Sequence, residues 1–310
     1  MTSLAPQIGS TPALRSAFDV LTGRRVVVLT GAGISTDSGI PDYRGPGSPV
    51  RTPMTYDVFC SGPEAQRRYW SRAFVGWQLM GHADPNPGHR ALSELEARGV
   101  VDSVVSQNVD GLHERAGQRR LIDLHGRIHE VVCLDCRRVS PRDVLQQRLS
   151  ALNPDRVALD HRGVEIAPDG DAVIDDSAGF VLADCERCGG RLKPHVVFFG
   201  ENVPRPRVAR AIAWVDAADV LLVLGSSLTV MSGLRFVRQA HRAGTPVVIV
   251  NRGATRGDDL AGVKVDAGCT EVLTHLLASS PSPNQHRSGT DRDPAACCSY
   301  EAWYEGSSCP

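Results

Sequence analysis

The chain has 310 residues, 42% of them hydrophobic and 22% charged, the balance of a globular protein with one large domain or two unequal ones. Lys and Arg total 34 against 35 Asp and Glu, so no net field draws the whole molecule to nucleic acid or to a membrane surface. No apolar run approaches the roughly 18 residues of a spanning helix. The first eighteen residues also lack a basic cluster followed by an apolar block, so a cytoplasmic protein is expected, or a matrix protein if the source is eukaryotic.

Along the chain, Leu14 to Leu21 reads as a short helix ending before a glycine. The run Arg25-Val-Val-Val-Leu-Thr30 then suits a strand buried on both faces. Residues 45–83, rich in Pro, Gly and aromatics, break the pattern and are partly helical. A helical pattern over Gly88–Arg98 precedes a second apolar run, Val101–Ser106. Residues 133–190 break the pattern again. Further runs at Val196–Phe199, Val220–Leu224 and Pro246–Val250 enclose a helical pattern over Leu234–Ala243. Strands alternating with helices predict an α/β fold with a doubly wound parallel sheet, whose ligands sit at the carboxyl ends of its strands. From Ser279 onward the composition is Ser/Pro/polar and reads as a disordered tail.

The strand ends are therefore where chemistry is expected. After the first strand comes Thr30-Gly-Ala-Gly-Ile-Ser-Thr-Asp-Ser-Gly-Ile-Pro-Asp-Tyr-Arg44. Glycines let backbone N–H groups approach a pyrophosphate. Thr36 stands where a dehydrogenase fingerprint needs its third glycine, so this is another kind of nucleotide turn. The other polar ends are Gln107-Asn-Val-Asp110, Gly225-Ser-Ser227 and Asn251-Arg-Gly253. Of nine cysteines, four form two pairs, Cys133/Cys136 and Cys185/Cys188. Without an export signal these read as ligands of a closed, tetrahedral and hence structural zinc site. The 48 residues between Cys136 and Cys185 exceed an ordinary zinc ribbon.

Taken together, Gly-Ala-Gly-Ile-Ser with Gly-Ile-Pro-Asp-Tyr-Arg, Gln-Asn-Val-Asp, Leu-His-Gly, the two Cys-x-x-Cys pairs, Phe-Phe-Gly-Glu and Gly-Ser-Ser resemble the sirtuin family, in the family's order, over about residues 14–278. The strings Arg68–Trp77 and Leu152-Asn-Pro154 are most similar to its class II branch, which has mitochondrial and bacterial members. The resemblance implies a Rossmann-like NAD-binding domain over residues 14–125 and 193–278, with a helical insertion at about 45–85. It places a zinc-binding small domain at 126–192 and leaves 279–310 as tail.

It also implies the activity: NAD-dependent removal of acyl groups from lysines of other proteins, releasing nicotinamide and O-acyl-ADP-ribose. Mono-ADP-ribosyl transfer to protein at the same site is the alternative. His125 matches the base, and an imidazole suits proton abstraction near neutrality. Asn108 and Asp110, with Ser35, match the nicotinamide carboxamide pocket, although Asp110 also suits a helix N-cap before Leu112. Gly31, Ala32 and Gly33 would meet the phosphates, with Asp42, Tyr43 and Arg44 in a loop closing over the nucleotide. Gln107, Gly225, Ser226, Ser227, Asn251, Arg252, Gly253 and Cys269 complete the expected cofactor set, Cys269 being equally a small core residue. Val197 and Phe199 match the walls of an apolar acyl-lysine tunnel, entered by a peptide that adds as a strand. Tyr69 and Arg72, three apart on one helix face, match a pair that holds acidic acyl chains.

Overall fold

The computed structural model describes residues 11–49, 51–157, 163–174 and 177–280, so the expected tail lies outside the described residues from 281 onward. Its strands are β1 Val26–Thr30, β2 Val101–Ser106, β3 Leu121–Asp123, β4 Gly126–Cys133, β5 Val139–Pro141, β6 Leu192–Val196, β7 Val220–Leu224, β8 Val247–Val250 and β9 Val263–Val265. Six form a wholly parallel sheet in the order β3-β2-β1-β7-β8-β9. The helices are α1 Pro12–Leu21, α2 Tyr56–Cys60, α3 Pro63–Met80, α4 Pro87–Ala97, α5 Leu112–Arg115, α6 Arg142–Leu152, α7 Pro154–Val157, α8 Arg205–Asp216, α9 Met231–Arg242 and α10 Cys269–Ser279.

The period-2 geometry of a strand sends alternate side chains to opposite faces, and β1 feeds two cores in this way. Val26 and Val28 join Leu14 of α1, Leu92 of α4 and Leu273 of α10 on one face. Val27 and Leu29 join Val215 of α8 with Phe236 and Val237 of α9 on the other. All these side chains are buried. Burial on both faces accounts for the unbroken apolar runs of β1, β7 and β8.

The run Val196–Phe199, expected as one more parallel strand, is something else. Its first residue ends β6, which pairs antiparallel with β4 in a separate three-stranded sheet of order β5-β4-β6. Val197 to Phe199 continue beyond it as an extended segment, tied by Val197 N–H to the His125 carbonyl (2.7 Å) and bridged at Phe199 to Thr55. The apolar pattern misleads because β6 buries Lys193 and His195 as completely as its hydrophobic residues. His195 Nδ1 lies 2.6 Å from Glu130. The Lys193 ammonium donates to the Val196 carbonyl and sits 2.9 Å from Glu201, over the Phe198 ring at 4.8 Å. Breaking a buried pair by removing one partner leaves an unpaired charge and costs about 3–5 kcal/mol. Lys193→Met is accordingly expected to lower the denaturant midpoint sharply, with part of the loss restored by adding Glu201→Gln. An unchanged midpoint in the single variant would contradict this account.

The small sheet is stapled to α3, which is buried almost all round. Trp70 Nε1 donates to the Leu192 carbonyl (3.1 Å) and Trp77 Nε1 to Asp143 (3.0 Å). The buried Arg142 guanidinium lies over both indole rings, 5.3 and 5.0 Å from their centroids. Cation–aromatic contacts gain strength when desolvated, as these are. From α6 and α7 the chain returns to the cysteines through a turn between Ile166 and Ala172 that packs on α3. A Cβ at Gly76 would fall 1.8 Å from the Gly170 carbonyl, so glycine is what allows this turn to approach the helix.

Candidate active site and zinc site

The polar residues that follow the parallel strands converge on one cavity of about 640 Å³ at the sheet's carboxyl edge, a volume ordinary for a small-molecule site. The turns after β1 and β7 interlock through their backbones. Gly31 N–H donates to Leu224 O (2.9 Å) and Gly33 N–H to Gly225 O (2.8 Å). A Cβ at Gly31 would stand 2.7 Å from Gly225 O, and Gly225 itself has φ +61°. The close approach thus holds Gly31 to glycine, and the positive φ does the same for Gly225.

Behind these turns lies a buried polar network. Ser35 Oγ donates to Asp110 (2.7 Å) and accepts from Asn108 Nδ2 (3.0 Å), which also reaches Gly31 O (3.1 Å). The other Asp110 oxygen accepts from Leu112 N–H (2.9 Å), so this carboxylate both caps α5 and orients Ser35. Thr30 Oγ1 donates to Ser106 Oγ and meets His113 Nε2 at 2.9 Å. His113 contacts His89 edge to face at 4.9 Å. Burial pushes His89 down to about 4, and His113 well below its ordinary value, so both rings are neutral. Neither histidine stands out in the sequence, since each occupies an ordinary helical position.

His125 follows β3 and lines the cavity. Its Nδ1 lies 2.6 Å from the Gln107 carbonyl, an acceptor only, which fixes the proton on Nδ1 and leaves the Nε2 lone pair free. Ser232 Oγ, at 2.8 Å, donates to that lone pair. Burial pushes the imidazole down to about 4 against the opposing pull of the Gln107 carbonyl. The ring is thus a neutral base of defined tautomer. Ser232 escaped the sequence reading because the first turn of α9 carries no motif. Gln107 Nε2 bonds Ser226 Oγ (2.8 Å), coupling the β2 and β7 ends.

Ala32, Asp42, Tyr43, Arg44, Ser227, Asn251, Arg252, Val197, Phe199 and Tyr69 also line the cavity. Asp42 folds its own loop by accepting from Gly45 N–H and Ser48 Oγ. Burial pushes Tyr43 well up, with the Asp169 carboxylate beside it adding to the shift. Cys269 lines the cavity at the start of α10 and is buried, which pushes its thiol up to about 12 and keeps it neutral. Gly253 stands outside the lining, its N–H donating to Asp266.

Arg72 also departs from expectation. It does not line the cavity, and its Nε lies 2.8 Å from both Asp171 Oδ1 and the Ala172 carbonyl. The guanidinium is neutralised internally rather than offered to an acidic acyl chain. Asp169 and Asp171, which belong to no motif, line the cavity instead.

The four paired cysteines meet at one point, with all sulfurs within 4.8 Å of one another. Cys133 Sγ is 3.6 Å from Cys188 Sγ, and Cys136 Sγ is 3.7 Å from Cys185 Sγ. Four thiolates held tetrahedrally at about 2.3 Å from zinc stand about 3.8 Å apart, so the set fits one structural Zn²⁺ with no open position.

Comparison with known proteins agrees with this geometry. The Sir2 family model matches residues 31–232. The NAD-dependent protein deacetylase 1 of Mycobacterium avium is 55% identical over 266 residues, covering 85% of this chain and 94% of that protein. A solved structure of Sir2 with a p53 peptide and NAD+ superposes with a TM-score of 0.69 at 33% identity, covering 86% of this chain and 98% of the other. A second, of Sir2 bound to acetylated peptide, gives 0.66 at 30%, with the same coverage of both chains. By its site, its fold and these matches, the chain belongs to the Sir2 family of sirtuins.

Proposed function

We propose that the chain is an NAD-dependent protein lysine deacetylase whose base is His125. The observation that carries this reading is a neutral imidazole, its Nε2 lone pair held only by the Ser232 hydroxyl, in a cavity lined also by the glycine turns after β1 and β7 and by the extended Val197–Phe199 segment. NAD, when bound, supplies the ribose that accepts the acyl group and nicotinamide as the leaving group. The turn of Gly31, Ala32 and Gly33, its two glycine N–H groups already donated to Leu224 O and Gly225 O, lets the phosphates approach the backbone closely, with Arg44 and the Asp42–Tyr43 loop closing above them. Ser35, Asn108 and Asp110 present donors and acceptors to the carboxamide. Gln107 fixes the tautomer of His125, and Gly225, Ser226, Ser227, Asn251, Arg252 and Cys269 hold the adenosine half.

The acyl-lysine enters past Val197 and Phe199, its peptide pairing main chain to main chain with that edge. Relatives named as deacetylases support deacylation over ADP-ribosyl transfer. The long insert between the cysteine pairs supports the class II branch, and the bacterial sources of the relatives support a cytoplasmic location. Among the described residues no helix is long and apolar enough to cross a membrane. Incubation with NAD and an acetyl-lysine peptide should yield nicotinamide and O-acetyl-ADP-ribose in equal amounts. A protein target that instead gains the mass of ADP-ribose, with the acetyl group retained, would overturn the reading in favour of transferase activity.

A further inference from the structure

His125 has one atom with which to take a proton, and that atom is already occupied. Its Nδ1 proton is committed to the Gln107 carbonyl at 2.6 Å, so the Nε2 lone pair is the basic site. An imidazole nitrogen has a single such lone pair, and this one accepts from Ser232 Oγ at 2.8 Å. A ribose hydroxyl therefore reaches Nε2 directly only if Ser232 gives up its bond, and among the described residues its hydroxyl has no second acceptor. The Ser232 oxygen itself keeps lone pairs to spare. It is half-buried and lines the same cavity as His125.

The position of Ser232 is fixed by its neighbour. Gly233 follows it in the first turn of α9, and a Cβ there would collide with Gln107 Oε1, so glycine lets the helix close on the Gln107 side chain. Gln107 Nε2 is in turn fastened to Thr30 O (3.1 Å) and Ser226 Oγ (2.8 Å). One residue thus governs both ring nitrogens. Its carbonyl holds Nδ1 directly, and its side chain seats the turn that brings Ser232 to Nε2.

Resting on the deacylase reading, we infer that Ser232 is a catalytic residue, a hydroxyl relay between the ribose and His125. Ser232 Oγ accepts the ribose hydroxyl proton while it gives its own proton to His125 Nε2. The ribose O–H and the old Oγ–H bonds break, and a new Oγ–H and an Nε2–H bond form. The electron pair left on the ribose oxygen bonds the acyl carbon, and the imidazolium holds the proton. Ser232 ends as the neutral hydroxyl it was, so the step needs no further reactant. A base acting through one intervening hydroxyl in this way keeps every hydrogen bond of the resting site.

The test uses the full chain, NAD and one acetyl-lysine peptide. Nicotinamide leaves before the acyl group moves, so exchange of labelled nicotinamide into NAD reads the step before the relay, and O-acetyl-ADP-ribose formation reads the steps through it. Ser232→Ala should lower kcat for O-acetyl-ADP-ribose about ten- to a hundredfold, less than loss of the base itself, because water entering the site carries the proton less well. The exchange rate and the KM for peptide should stay within about threefold of the parent, as expected when only a later transition state is affected. In the parent protein, single-turnover rates in mixtures of light and heavy water should give a bowed plot, the mark of two protons moving together. Without NAD, the nitrogen resonances of His125 should show a neutral ring protonated on Nδ1, with an Nε2 that shifts toward an unbonded nitrogen in Ser232→Ala. An unchanged kcat, an exchange rate that falls as far as kcat, a straight plot or an unmoved Nε2 resonance each overturns the relay and leaves the deacylase reading intact. The parent plot decides the matter even if the variant misfolds. Absence of O-acetyl-ADP-ribose from the parent protein overturns both.

Discussion

Acyl-lysine turnover should fall by about 10²–10⁴-fold in His125→Ala, the usual loss when a general base is removed. The fold should persist, because the ring is held by two polar contacts, to Gln107 O and Ser232 Oγ, and belongs to none of the three hydrophobic clusters. The far-ultraviolet spectrum and zinc content should match the parent protein. The pH profile gives an independent check. The active form of the base is neutral, and its value in the folded protein is depressed to about 4. Activity controlled by this group is therefore retained from neutrality down to about pH 5 and lost as pH falls through the folded value. The acid limb of kcat/KM reports the free enzyme, so it should lie well below the ordinary histidine range near 6.5. More than half of the parent activity in the variant would remove His125 from the mechanism.

The double substitution Cys185→Ser, Cys188→Ser should abolish metal content, from about one zinc per chain to none, and unfold the small module. Structural zinc is worth about 10–16 kcal/mol in isolated finger peptides. Here, part of that energy holds β4 and β6 against α3. The indoles of Trp70 and Trp77 sit at that junction, bonded to Leu192 O and Asp143. Their fluorescence should shift to the red as the module opens, in step with the loss of zinc. Activity should vanish although no cysteine of the pairs lines the cavity, because Asp169, Asp171 and the Val197–Phe199 edge are carried by segments the metal anchors. A zinc-free variant with unaltered tryptophan emission and activity would show that the metal does not hold the module in place.

Much of this was legible before any coordinates. Long apolar runs gave β1, β2, β7 and β8, and the polar residues after them do meet at one cavity. Three kinds of feature were not legible. Strands of three residues, such as β3 and β9, are too short to carry a periodic signal. The strand β6 hides its character because Lys193 and His195 are buried by virtue of Glu201 and Glu130, partners that no local pattern reveals. The engagement of Arg72 by Asp171 is a contact between distant segments, so a motif on α3 alone suggested a pocket cation that the fold has already neutralised.

The path of the insert has a consequence for how such proteins diverge. The chain leaves the metal at Cys136 and comes back to it at Cys185, so both ends of a 48-residue excursion are pinned at one point. Doubling the length of a loop with fixed ends costs only about 0.6 kcal/mol in closure entropy. Drift in length or sequence along this tether is therefore nearly free for the parallel sheet. Yet the same tether supplies one wall of the cavity, so substrate range can change by rewriting the excursion while the nucleotide turns and the base remain as they are.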